Sequence, residues 1–134
     1  MSTNNVLSNV FRIGFVSSVN AARGTVKVTC PDKDNWESDE LPVIVRGSAG
    51  TKDFWIPEVN EQVLCAFLPN SGTSQGFCLG SFYSDRDKPP TGSADVRCVK
   101  FSDGTLIEYD KGSHSLTINC VGAVTINGKT INLN

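Results

Sequence analysis

Toward its end the sequence repeats one short phrase: alternating apolar and polar residues, then a glycine. TLIEY at 105–109, LTINC at 116–120, VTI at 124–126 and INL at 131–133 are punctuated by Gly112, Gly122 and Gly128. Period-two alternation is the pattern of a half-buried strand. One face of these runs collects Ile107, Tyr109, Leu116, Ile118, Cys120, Val124, Ile126, Ile131 and Leu133. Only Asn134 follows, so the expectation is that no later segment covers that face and that further copies of the chain do. Burial would stabilise by roughly 1.5–3 kcal/mol for each large side chain. A lone chain would hide little of the face and leave its strand edges unpaired. The plain alternative is a frayed, Gly/Asn-rich tail, which rarely keeps such alternation over successive runs.

Composition narrows the class. The 134 residues carry 39% hydrophobic and 19% charged residues with twelve glycines, which fits a globular, strand-rich protein. A formal net charge of −2 argues against a nucleic-acid surface, since Lys and Arg are scattered singly instead of clustered. No apolar stretch approaches the length needed to span a bilayer, and no secretory leader pattern opens the chain; assembly in the cytoplasm is the expectation. Five cysteines form no CxxC pair and no metal-ligand spacing, which suits reduced thiols used as small apolar side chains.

The chain reads as four parts. Residues 1–10 are polar and form an N-terminal arm. Residues 11–84 hold strand candidates at 11–19, 25–30, 41–46, 62–68 and 76–83, separated by turn-forming residues. Five strands without a helix fit a small closed barrel, of which the OB-fold is the Greek-key version. Residues 85–95 contain Pro89-Pro90 and form a stiff joint. Residues 96–134 are the repetitive segment. The fold class expected is all-β.

Chemistry-bearing residues are sparse. Asp32, Asp34, Glu37, Asp39 and Glu40 surround Trp36 in what reads as a polar loop, without the spacing of a calcium loop. His114, the single histidine, follows a Gly-Ser turn; three copies could meet and bind metal in a threefold assembly, but a lone turn histidine is more often surface decoration. Gly47-Ser-Ala-Gly50 and Asn70-Ser-Gly-Thr are loops, since neither opens a phosphate-binding helix. Phe54, Trp55, Phe67, Phe77, Phe82 and Tyr83 read as core, because no basic residues are interleaved among them for base stacking. Asp103-Gly104 and Asn127-Gly128 are tight-turn dipeptides, either hairpins or corners between layers of an intertwined prism. No catalytic residue, metal or cofactor is expected.

Several stretches in order resemble the baseplate assembly protein V family, the central spike of contractile phage tails, and the related spikes of type VI secretion and R-type bacteriocins. They are RIGFVSSV at 12–19, FWIPEVNEQVLCAF at 54–67, GFCLGSFYS at 76–84, KPP at 88–90 and FSDGTLIEYD at 101–110. The resemblance implies a homotrimer: three OB-fold barrels in a collar, and three tails wound into an intertwined β-helix, or β-prism. It further implies a baseplate hub protein above the collar and a place on the axis of a phage tail or tailocin. The needle would close the tube and pierce the target cell envelope on contraction. The tip would be Ile131, Asn132, Leu133 and Asn134, either plugged by its apolar residues or capped by a separate protein. The His-x-His that clasps iron in some members is absent, so no metal is carried over. The β-segment is short for the family. Two other functions stay open from the residues alone: an OB-fold module binding oligonucleotide or oligosaccharide, and a small cell-wall-degrading enzyme.

Overall fold

A computed structural model describes residues 10–69 and 75–134. The arm expected at 1–10 falls almost wholly outside the described residues, as does the loop at 70–73. The chain divides into two compact units, Met1–Ser84 and Asp85–Asn134. Both are built mainly from antiparallel β-structure, and among the described residues one 3-10 turn is present, at Pro31–Lys33. The protein is all-β.

In the first unit, β1 (Phe11–Asn20) is long enough to serve two neighbours. Its first half pairs with β5 (Gln62–Phe67), its second with β2 (Thr25–Cys30). Gly14 sits where the two pairings meet. A side chain there would strike Val28, and its Cβ would lie 2.7 Å from the Thr29 carbonyl oxygen, so only glycine lets the strands cross so closely. A bulge around Ser17 adds to the bend. β3 (Trp36–Glu37) and β4 (Leu41–Pro42) both pair with β2, and β6 (Gly76–Ser81) pairs with β5. Past β4, Val43 forms a parallel bridge to Cys78, and the Ile44 N–H donates to the Cys78 carbonyl at 2.9 Å. These contacts join the β4 end of the sheet to its β6 end and close a barrel.

Alternation then fixes what lies inside. Val16, Val26, Val28, Cys30, Leu41, Val63, Cys65, Phe67 and Cys78 form the core. Three of the five cysteines are therefore fully buried, and all five are free thiols. Cys65 and Cys78 face each other across β5 and β6. The hydrogen bond to Cys78 and burial together hold the Cys65 proton well above a free thiol's range, and burial pushes Cys30 up as well. Arg12 also points inward, with 8% of its surface exposed, and lies over the rings of Trp36 and Phe67 at 5.0 and 5.2 Å. Those two rings meet edge to face at 5.6 Å. The apolar arm of Arg12 thus finishes one part of the interior while its charge rests on ring faces.

Two expectations need correction here. Of the six aromatics assigned to the core, only Phe67 is buried; Phe54, Trp55, Phe77, Phe82 and Tyr83 are exposed. For Phe77 the cause is parity: Cys78 takes the inward position on β6, so Phe77 and Leu79 must point out. Phe54, Trp55, Phe82 and Tyr83 lie outside the strands. The stretch around Trp36 is likewise not plain loop, because Trp36 and Glu37 pair with Cys30 and Thr29.

The second unit holds a three-stranded antiparallel meander: β7 (Val96–Lys100), β8 (Leu106–Asp110) and β9 (Ser115–Asn119). Asp103-Gly104 makes the β7–β8 hairpin turn, with Gly104 at φ 98° and the Asp103 carboxylate accepting the Thr105 N–H at 2.9 Å. The β8–β9 turn uses Asp110 in the same way, its carboxylate accepting the Gly112 N–H at 2.9 Å. The strands expected at 124–126 and 131–133 do not form within one chain. Their alternation is present, but a strand needs a ladder partner, and β9 is the last strand among the described residues.

Candidate assembly surface

The register of the meander sorts its side chains onto two faces. Val99, Ile107 and Ile118 lie in one cross-strand row, and Arg97, Tyr109 and Leu116 in the next. Cys98, Glu108 and Thr117 occupy the opposite face, followed by Lys100, Leu106 and Asn119. One face is thus apolar but for Arg97, and the other is mixed. Its apolar members are exposed, Ile118 to 56%. Both outer strands, β7 and β9, also have one side without a strand neighbour among the described residues.

The C-terminal stretch after the sheet is uncovered as well. Every residue from Cys120 to Asn134 is exposed, including Val121, Val124, Ile126 and Ile131, and Leu133 reaches 93%. Two tethers hold its start: the Val121 N–H donates to Thr105 Oγ1 at 3.3 Å, and Cys120 Sγ to the Ala123 carbonyl at 3.6 Å. Each residue expected in a shared core is therefore uncovered in the single chain. The structure brings Ile107, Tyr109, Leu116 and Ile118 onto one sheet face, and leaves Cys120, Val124, Ile126, Ile131 and Leu133 beyond the sheet. Val99 and Val121 belong with the exposed apolar set and were overlooked. Alternation in VRCVK at 96–100 does not single out Val99, since Val96 and Cys98 hold the other parity.

Elsewhere several polar residues have local structural partners. Glu37 accepts from Ser17 Oγ at 2.8 Å, and Glu40 accepts from Asn20 Nδ2 at 2.9 Å while pairing with Arg23 at 3.3 Å. Asp39 and Glu40 border a shallow depression of about 600 Å³ with Lys27 and Gln75. Arg46 and Asp53 form a two-pronged surface pair at 2.9 and 3.1 Å, which holds the Asp53 carboxyl below its usual value. His114 occupies the exposed β8–β9 turn at φ 56°. Among the described residues, no three His, Cys, Asp or Glu side chains are grouped so as to hold a metal. No helix among them is long and apolar enough to cross a membrane.

No family model matches the sequence. The chain is similar to the Spike protein of Escherichia phage P2. The two are 29% identical over 124 residues, which takes in 90% of this chain and 55% of the phage protein. The chain thus spans little more than half the length of the relative it matches. It is a distant relative of a phage spike.

Proposed function

We propose that the protein is a non-enzymatic central spike of a contractile injection machine, a phage tail or an R-type bacteriocin. Three copies associate through the tail and close the end of the tube. On contraction the assembly is driven into the target envelope. The observation that carries this reading is the set of uncovered apolar side chains, aligned on one face of β8 and β9 and followed by the exposed Val124, Ile126, Ile131 and Leu133. A chain with that face and two unpaired sheet edges gains most from siblings that supply both cover and ladder partners. Similarity to a spike protein supports the same reading. Residues 96–134 then form the needle as an intertwined β-helix, with Ile131, Asn132, Leu133 and Asn134 at the tip. Residues 85–95 are the joint, and 11–84 the OB-fold collar that meets a hub protein. The barrel's strand order, β4-β2-β1-β5-β6 with a parallel closure between its ends, supports the OB-fold assignment. Copies made in the bacterial cytoplasm would assemble there into the particle.

Mechanics follow from shared strands. A needle under axial load fails where the fewest bonds hold it, and a ladder running between chains must break many backbone hydrogen bonds at once. An interior of Ile, Leu and Val side chains excludes the water that would otherwise replace those bonds. The deciding measurement is the mass in solution. The expected value is three times the 14.4 kDa of one chain; a stable monomer at micromolar concentration overturns the proposal. Nothing on the outer side of β2 favours a nucleic-acid or sugar site, since Lys27 and Thr29 stand there without an exposed ring between them.

A further inference from the structure

Two of the barrel's three buried cysteines are placed for more than packing. Cys65 on β5 and Cys78 on β6 are register partners, and both are wholly shielded from water. Hydrogen-bonded and open pairs alternate along an antiparallel ladder. The Leu68 N–H donates to the Gln75 carbonyl at 2.8 Å. Counting back from there through Phe67–Gly76 and Ala66–Phe77 makes Cys65–Cys78 an open pair. The Cys78 backbone agrees, since its carbonyl turns away from β5 to accept from the Ile44 N–H at 2.9 Å. In an open pair the Cα atoms stand about 4.5 Å apart and the side chains come closest. A disulfide spans roughly 4.4–6.8 Å between Cα atoms, so a bond between these two thiols needs no large backbone movement. The other cysteines are not opposed in this way: Cys30 stands across from Trp36, and Cys98 across from Glu108.

We propose that Cys65 and Cys78 form a reversible redox latch, which closes into a disulfide when the protein meets a hydroperoxide. Packing uses a thiol as a small apolar group, but it does not require two of them in contact. The contact also divides their roles. The hydrogen bond between them raises the Cys65 pKa and lowers that of Cys78, with burial adding to the first effect and opposing the second. Cys78 is thus the attacking sulfur and Cys65 the resolving one. The Cys78 thiolate attacks one oxygen of hydrogen peroxide and the O–O bond breaks. A sulfenic acid forms, and the departing hydroxide takes up a proton to become water. The Cys65 sulfur then displaces the sulfenic hydroxyl, which leaves with the Cys65 proton as a second water. The pair gives up two electrons, and one peroxide becomes two waters. Access lies at the barrel's seam. On the side away from β5, β6 is held through the Val43 bridge and the Ile44 hydrogen bond. Opening there uncovers Cys78 while the ladder between β5 and β6 stays paired. Once formed, the bond closes a loop of about 15 residues, which restricts the unfolded chain. A reducing cytoplasm would hold the latch open until the protein leaves it. The inference goes beyond the spike reading and needs only the barrel.

Full-length protein treated with dilute hydrogen peroxide, then denatured and alkylated, tests this. The tryptic peptide 53–86 contains both thiols and no other cysteine. It should become two hydrogens lighter and escape alkylation, and dithiothreitol should reverse both changes. Urea titration followed by Trp36 fluorescence should show the unfolding equilibrium constant of the oxidised barrel falling on the order of 100-fold. Cys78→Ala should lose that response and leave Cys65 open to alkylation. A peptide that stays reduced at peroxide concentrations that oxidise the exposed Cys120 overturns the latch, as does one that gains oxygen instead of losing hydrogen. A link that forms without raising the urea midpoint overturns it too, and so does a rise that survives in Cys78→Ala. If Cys78→Ala does not fold, the wild-type peptide and titration decide. Mass in solution, read on the same samples, keeps the two readings apart. A trimer without the link overturns the latch and leaves the spike standing, and a monomer with the link does the reverse.

Discussion

The two units make opposite use of the same alternating pattern. In the barrel, Val26, Val28 and Cys30 on one strand meet Leu41, Val63 and Cys65 from others, and all are shielded from water. In the tail unit, Ile107, Ile118 and Leu116 are equally well aligned, yet each stays exposed. Alternation therefore specifies a face, and topology decides whether one chain can cover it. The barrel closes because β1 bends at Gly14 and Val43 reaches Cys78. The meander has no such bend, and a sheet of three short strands cannot wrap around its own side chains.

Ile118→Asp should break that contrast most completely. In the proposed trimer it would set three carboxylates in a dry core, at a cost of several kcal/mol per chain. Sedimentation should show the mass falling to that of one chain, while Trp36 fluorescence reports an intact barrel. Persistence of the trimer would mean that Ile118 faces water in the assembly and that the sheet's apolar face is not its core.

A paired truncation separates the two environments next. Leu41→Ala removes a fully buried side chain and should cost the barrel about 2–5 kcal/mol in denaturant unfolding. For a unit of this size that corresponds to a fall in midpoint of roughly 4–8 °C for each kcal/mol. Leu133→Ala starts from a side chain that is 93% exposed in the single chain. Its effect on the barrel's transition should stay within about 0.5 kcal/mol, whereas dissociation of the assembly should come at a lower denaturant concentration if Leu133 helps plug the tip. Equal costs in the barrel transition would show that the two units are coupled as one folding unit.

Much of the barrel was legible in sequence because turn residues bracket each alternating run, and β2 and β5 form where such runs stand. The orientation of β6 was not, since QGFCLGSFY offers large apolar residues at both parities. The parity that enters is the one that sets Cys78 opposite Cys65, both fully buried. Arg12 was missed for a related reason: its charge marks it as outward until Trp36 and Phe67 are known to flank it. In the tail, Ile107 and Ile118 are register partners on one sheet face, but 124–126 and 131–133 show the limit of pattern alone. They carry strand periodicity without a strand, because periodicity records a preference and the hydrogen-bonding partner must come from elsewhere.

Gly76→Ala probes the barrel's closure at smaller scale. An added methyl group would land on the Ala66 carbonyl oxygen and lie 2.7 Å from Phe67 Cα. Both obstacles are backbone, so β5 and β6 must separate, at about 1–3 kcal/mol. Urea titration followed by Trp36 fluorescence checks this. Gly122→Ala in the tail, where no atom lies within 4 Å, is the contrasting change and should leave the barrel's midpoint in place. A matching loss from both would mean that backbone freedom, and not close approach, makes glycine necessary at Gly76.

The smallest effect should come from the barrel's surface pair, and it tests whether the core alone distinguishes the units. Arg46 and Asp53 are well aligned but solvent-exposed, and the chief cause of Asp53's lowered pKa is its hydrogen bond from Arg46. A depressed folded-state pKa stabilises only above the unfolded value of 3.8, and the contribution fades as pH falls below it through the folded value. Arg46→Ala should therefore return the Asp53 titration, followed by carboxyl-carbon NMR, upward toward 3.8. At pH 7 the thermal midpoint should not move measurably, because water and salt screen an exposed pair of this kind. A clear drop at pH 7 would show that the 47–52 loop, which this pair clasps and the Asp53 N–H to Gly47 carbonyl bond at 3.0 Å also closes, contributes to the barrel's stability beyond its buried core.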